Sequence, residues 1–305
     1  MAIFYLQINS LSRSTGRRAV AAAAYRAGER LRDERSGELH NHSRRRDVLH
    51  TEIFLPAQFA QQALPWARDR ERLWNSAEHA EPRYNARVAR EVQVNLPAEL
   101  SAPGRVSLAR ALAGELAERY RVAVDLAVHA PRAGSDPRNF HAHLLLTTRE
   151  VTPQGLGARA GLDLTARERR QRELPDHGGE YRHVRERWAT LANLALQAEN
   201  LNVRIDHRSL AAQGIDREPK PRIPLLHLKL EQRGDESAYA AKLRAAYGER
   251  VARRAERAAQ PATHDLEEVR RRARLAWLDL RSKEAAAAPK EAAAARARED
   301  DELTR

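Results

Sequence analysis

Three features of this chain predict an α+β fold, a mainly antiparallel central sheet flanked by helices and followed by a helical C-terminal tail. Strand-like and helix-like segments over residues 1–215 are mixed without a repeated βαβ alternation. One connection, Ala130 to Phe140, carries Pro131, Gly134, Asp136 and Pro137, which is turn chemistry suited to a hairpin. Beyond about residue 216 the alternation gives way to charged, alanine-rich helical sequence.

Taken in order, residues 2–9 (AIFYLQIN) read as a first strand, and Ser10 to Gly16 as a loop in which Ser12 or Ser14 could cap a helix. Residues 17–33 are alanine-rich and predict a helix with Tyr25 near its middle. Arg35 to Asp47 is polar and reads as a loop, 51–55 (TEIFL) as a short strand, and 65–81 as a helix that stops before Pro82. From Val88 to Leu96 the chain alternates: Val92, Val94 and Leu96 share one face, Glu91, Gln93 and Asn95 the other. A helix over about 104–119 precedes a strand ending at His129, the loop, and a second strand beginning at His141. A helix over 180–200 follows, with Val184, Trp188, Leu191 and Ala195 in an apolar stripe. Pro219, Pro221 and Pro224 mark 216–235 as a linker, and 236–305 reads as a charged, alanine-rich helical tail. In the tail Leu266, Val269, Ala273, Ala276 and Leu280 keep a heptad-like spacing too briefly for a coiled coil. Glu284 to Arg298 looks like a semi-rigid spacer interrupted by Pro289.

Composition narrows the function. The 305 residues suffice for one large domain or two smaller ones, and a net charge of +12 points to a polyanionic partner, most simply nucleic acid. With no cysteine, disulfides and thiolate metal sites are excluded. The N-terminus lacks the pattern of a signal peptide, and no apolar run approaches the ~18 residues of a membrane helix. A cytoplasmic protein without a membrane segment is expected. Gly-Lys occurs nowhere, so there is no phosphate-binding P-loop. Every lysine lies at or beyond Lys220, a shift consistent with the end of a domain near residue 216.

His141-Ala142-His143 carries the strongest chemical signal. Side chains alternate along a strand, so His141 and His143 share a face. A hairpin would lay His129 beside them, and three imidazoles could then hold one metal ion with coordination positions to spare. A second pair, His40-Asn41-His42, sits in the polar stretch without a strand pattern and reads as loop. Asp125 shares the strand face of His129 and could orient a ligand histidine. Tyr25 stands among alanines beside Arg26, and taken alone reads as a packing residue. Arg17, Arg18, Arg26, Arg44, Arg45 and Arg46 are candidate DNA contacts, although a surface charge run is often simply solvated.

Five ordered segments carry a resemblance: Ser12-Arg13-Ser14-Thr15-Gly16 behind the first strand, AAAAYRAGERL around Tyr25, ERLWNSAEHAEPRYNARVAREVQVNLP (71–97), AVHAPRAGSDPRNFHAHLLLTTRE (127–150) and NVRIDHRSLAAQGI (202–215). Together they resemble the MobA/MobL family of plasmid-mobilisation relaxases, HUH-type endonucleases of the MOBQ-like kind. The resemblance implies a relaxase domain over 1–215. Tyr25 would attack one phosphodiester of single-stranded DNA at a plasmid transfer origin, stay joined to the 5′-phosphate, and later let a 3′-hydroxyl reseal the strand. His129, His141 and His143 would hold a divalent cation that polarises the scissile phosphate, and Glu91 would support the metal site or a histidine. Imidazoles suit Mn²⁺, Co²⁺ or Zn²⁺ better than Mg²⁺, but availability in the cell leaves Mn²⁺ or Mg²⁺ as the expected ion. Accessory relaxosome proteins and a coupling ATPase are implied as partners, and unwinding would come from another protein. Asp206-His207-Arg208 also matches the family, but a capping aspartate explains it equally well. The alternatives are a rolling-circle replication initiator, a non-cleaving DNA-binding protein of the same fold, and a His₃ zinc hydrolase that would leave the charge unexplained.

Overall fold

β1 (Leu6–Ser12), α1 (Ala19–Ala27), β2 (Arg30–Arg32), β3 (Leu39–Asn41), β4 (Val48–Phe54), α2 (Pro65–Arg68), α3 (Arg70–Ala80) and β5 (Arg87–Asn95) make up the first part of the chain. They are followed by α4 (Ala102–Tyr120), β6 (Val124–His129), β7 (His141–Leu146), β8 (Arg149–Thr152), β9 (Gly155–Arg159), α5 (Ala166–Gln171) and α6 (His177–Ala198). The computed structural model describes residues 4–59, 62, 64–259 and 270–282. Five strands form one sheet in the order β1-β5-β7-β6-β4, antiparallel throughout, and β2–β3 and β8–β9 are separate hairpins. The α+β class read from the sequence is the class observed.

The period of two decides what each face buries. Val92 and Val94 of β5, Val124, Leu126 and Val128 of β6, and Ala142, Leu144 and Leu146 of β7 point into one core. There they meet Leu108, Leu112 and Leu116 of α4 and Val184, Trp188 and Leu196 of α6. The opposite face is covered by α1 and α3, whose Val20, Ala23, Ala24, Leu73, Trp74 and Ala77 pack with Leu11, Ala89 and Leu145. The in-between residues of β5, β6 and β7, including Glu91, His129, His141 and His143, therefore lie on the side covered by α1.

The sequence-based boundaries change for identifiable reasons. The helix expected over 17–33 stops at Ala27 because Gly28 takes the left-handed conformation (φ 68°) and closes it onto the Ala24 carbonyl. The chain then turns into the β2–β3 hairpin, so His40 and Asn41 belong to a strand, not a loop. Ser12 continues β1 and neither it nor Ser14 caps α1; the buried Glu78 of α3 accepts from the Ala19 amide at 2.6 Å instead. The helix expected over 65–81 breaks at Asp69, whose carboxylate caps α3 at the Arg72 amide.

The chain divides into two compact units, Met1–Arg208 and Ser209–Arg305. In the second unit, α7 (Leu225–Gln232) lies inside the proline-containing stretch read as a linker, and α8 (Ala238–Ala259) follows. Arg244 of α8 pairs with Glu231 of α7, and Arg250 with Glu218. Residues 270–282 are helical; Leu266, Val269 and the spacer of 284–298 lie outside the described residues. Among the described residues no helix is long and apolar enough to cross a membrane.

Candidate metal centre and nucleophile cleft

Antiparallel pairing sets His129 directly opposite His141, and His143 follows two residues along β7 on the same face. The three rings lie with centroids 5.0 to 5.2 Å apart. One nitrogen from each falls within 4.8 Å of the other two, a spacing that could hold a metal ion. Each ring spends one nitrogen on an acceptor. His129 Nε2 donates to the Arg26 carbonyl at 2.7 Å, His141 Nδ1 to the Asn139 carbonyl at 2.9 Å, and His143 Nδ1 to Glu91 Oε1 at 2.7 Å. Those bonds select the tautomer and leave a lone pair on the other nitrogen. His129 Nδ1 is buried and has no hydrogen-bond partner. A buried polar atom left unpaired is costly, so this atom fits a role as ligand. Burial disfavours the charged form of two of the rings: it pushes His129 down to about 3, with the neighbouring imidazoles adding to the effect, and lowers His141 as well.

Glu91 is 4% exposed on the adjacent strand. It accepts from His143 and from Arg26 Nε, the latter at 2.6 Å. Burial opposes its ionisation, but these two hydrogen bonds and the charges behind them outweigh it and hold the carboxyl at about 2. Asp125, by contrast, does not orient a histidine. It is held by Arg70 Nε at 2.9 Å and by Trp74 Nε1 at 2.9 Å, because its strand position falls beneath α3 and not beside the histidine cluster.

The C-terminal end of α1 lies over this cluster. The last carbonyls of a helix lack intrahelical partners, and here the site supplies two: His129 donates to Arg26 O, and Arg45 to Tyr25 O. Tyr25, 39% exposed, is thereby brought to the edge of the site. The Arg45 guanidinium lies 4.2 Å above its ring, His42 meets it edge-on at 5.2 Å, and Arg132 donates to its hydroxyl. An open cleft of about 540 Å³ surrounds it, lined by His42, Arg45, Arg46, Asp47, Pro131 and Arg132 among others. His42, Asp47 and Arg132 were not singled out as site residues from the sequence. His42 belongs to the pair set aside as loop, and only the fold of the β2–β3 hairpin returns it to Tyr25.

The candidate DNA contacts separate into two groups. Arg26 is committed to Glu91, Arg18 to Asp33 and Glu38, and Arg45 to Asp47 at 2.9 Å and to Tyr25. Arg17, Arg44 and Arg46 are exposed and form no ion pair among the described residues. Asp206 caps no helix; it closes a turn by accepting from the Arg208 amide at 2.9 Å.

The profile of the MobA/MobL family matches residues 17–233. The chain belongs to the MobA/MobL family. It is 39% identical over 262 residues to mobilization protein MobL of Acidithiobacillus ferridurans, covering 78% of this chain and 66% of that protein. It is 32% identical over 257 residues to the probable mobilization protein MobA of Bifidobacterium longum strain NCC 2705, covering 72% of this chain and 42% of that protein. The chain thus spans from under half to about two thirds of these relatives' lengths. A solved protein of vancomycin resistance transfer in Staphylococcus aureus superposes with a TM-score of 0.54 at 28% identity, covering 68% of this chain and all of that one.

Proposed function

We propose that this MobA/MobL protein is a relaxase, with residues 1–215 as its endonuclease domain, which nicks single-stranded DNA at a plasmid transfer origin through Tyr25 and later rejoins it. The observation that carries the reading is the placement of Tyr25, in a cleft of arginines, beside three imidazoles whose unbonded nitrogens converge. Family membership and the net charge of +12 agree with it.

Tyr25 Oη gives its proton to solvent and forms a bond to phosphorus, while the P–O3′ bond breaks and the 3′-oxygen takes up a proton. One phosphodiester replaces another, so a 3′-hydroxyl can reverse the step without ATP. His129, His141 and His143 would hold the divalent cation, Mn²⁺ or Mg²⁺, which when bound neutralises charge on the scissile phosphate. Glu91 holds His143 in the tautomer that leaves Nε2 free, and Arg26 keeps Glu91 ionised. Arg17, Arg44 and Arg46 offer exposed charge to flanking phosphates.

The test uses 3′-labelled single-stranded oligonucleotides tiling the DNA beside the gene, with Mn²⁺ or Mg²⁺, on a denaturing protein gel. Label should stay attached to wild-type protein and not to Tyr25→Phe. Cleavage without attachment would replace the tyrosine mechanism with hydrolysis by water, and binding without cleavage would make this a DNA-binding protein that does not cut.

A further inference from the structure

Arg132 stands in the loop between β6 and β7, whose two ends carry His129 and His141, and its guanidinium donates to Tyr25 Oη. The other contacts of Tyr25 leave that oxygen unassisted. Arg45 lies over the ring face and His42 against its edge. Arg45 is itself fixed by its pairing with Asp47 and its bond to the Tyr25 carbonyl. Asp47 also ties the loop in place: its carbonyl accepts from the Ala130 amide at 2.8 Å, and its carboxylate lies 3.9 Å from Arg132 Nε. A partly exposed tyrosine on the last turn of a helix otherwise samples several rotamers.

We infer that Arg132 is a positioning residue for the nucleophile: it fixes where Tyr25 Oη stands relative to the histidine cluster and presents remaining donors to the phosphate that enters. The inference rests on the reading of Tyr25 as nucleophile. Arg132 suits this better than Arg45 because its side chain is 56% exposed and, among the described residues, its only carboxylate neighbour is the 3.9 Å contact to Asp47. Two guanidiniums thus meet one tyrosine with a single carboxylate between them, leaving surplus positive charge beside the reacting oxygen. The planar fork of arginine can serve Oη and a phosphate oxygen together, whereas lysine offers a point charge.

Two measurements test the assignment. In single-turnover reactions with saturating 3′-labelled oligonucleotide, Arg132→Ala should form the covalent adduct roughly 10- to 100-fold more slowly, as expected for a misplaced reacting group. Arg132→Lys should recover part of the rate, and oligonucleotide affinity should fall less than the rate. A saturated rate within twofold of wild type, or a loss confined to affinity, would overturn the assignment. The second measurement is ¹⁹F NMR of 3-fluorotyrosine placed at position 25 of the full chain. Its resonance should shift or broaden in Arg132→Ala, and an unchanged resonance would overturn the positioning role even if no adduct forms. A resonance that responds in a protein forming no adduct would uphold the contact and refute only the nucleophile reading.

Discussion

Replacing Glu91 with glutamine tests how the histidine cluster is held. The wild-type carboxylate sits at about 2 against an ordinary value of 4.5, and it is buried on β5 between His143 and Arg26. The difference of about 2.5 units, at about 1.4 kcal/mol per unit, corresponds to about 3 kcal/mol of folding free energy at neutral pH. An independent route agrees: breaking a buried, hydrogen-bonded charge pair by neutralising one partner costs about 3–5 kcal/mol. The sign follows from the lowered value. The contribution is complete above pH 4.5, falls as pH drops toward 2, and is absent below that. Urea denaturation of the metal-free chain should therefore show Glu91→Gln less stable by about 3 kcal/mol at pH 7, with the gap narrowing below pH 4.5. Calorimetric titration with Mn²⁺ should show affinity weakened by roughly 10- to 100-fold, because the neutral amide oxygen is a weaker acceptor for His143 than the carboxylate that orients it. A gap under about 1 kcal/mol at pH 7, or one of equal size at pH 3, would refute the argument that this carboxylate is a strongly stabilised anion.

Other perturbations probe the frame around the site. Gly28→Ala places a Cβ 3.0 Å from Val48 Cγ2 at a φ of +68°, and should cost about 1–3 kcal/mol in urea denaturation; a neutral result would mean the end of α1 is not constrained by β4. Trp74→Phe removes the indole donor to the buried Asp125 while Arg70 remains, with an expected loss of about 1–3 kcal/mol by the same assay. Alanine at Arg17, Arg44 and Arg46 together should make the dependence of log Kd for single-stranded DNA on log salt shallower by about 2, equally for unrelated sequences. An unchanged slope would place the phosphate path elsewhere. His141→Ala with His143→Ala should abolish Mn²⁺ binding measured by calorimetry while single-strand binding persists; retained metal affinity would remove the cluster as the metal site.

Much of this site was legible one residue at a time. The alternation of β5 placed Glu91 on the face opposite Val92 and Val94, and the spacing of His141 and His143 put both rings on one side of β7. The turn residues of 130–140 announced the hairpin that brings His129 opposite His141. Asp125 shows the boundary of such reasoning. Strand parity gave its face correctly, but parity does not say which helix crosses above it, and there Arg70 and Trp74 claim the carboxylate. Arg26 was one of several candidate DNA contacts, and its residue type alone did not show that it pairs with Glu91, a buried carboxylate that requires a cation.

The sequence by itself determined the α+β class, the order of the main strands and helices and the set of chemically capable side chains, and its five ordered segments carried the resemblance to the family. Apart from that resemblance, these properties rest on local periodicity, turn chemistry and residue type, which one stretch of chain can display. The tertiary structure decided the rest: that the last carbonyls of α1 are bonded by His129 and Arg45, that Glu78 and not a serine serves its other end, and that His42, Asp47 and Arg132 surround Tyr25. Each of these contacts joins segments distant in sequence, and no local pattern records them, because they exist only once the sheet has been assembled and α1 packed across it.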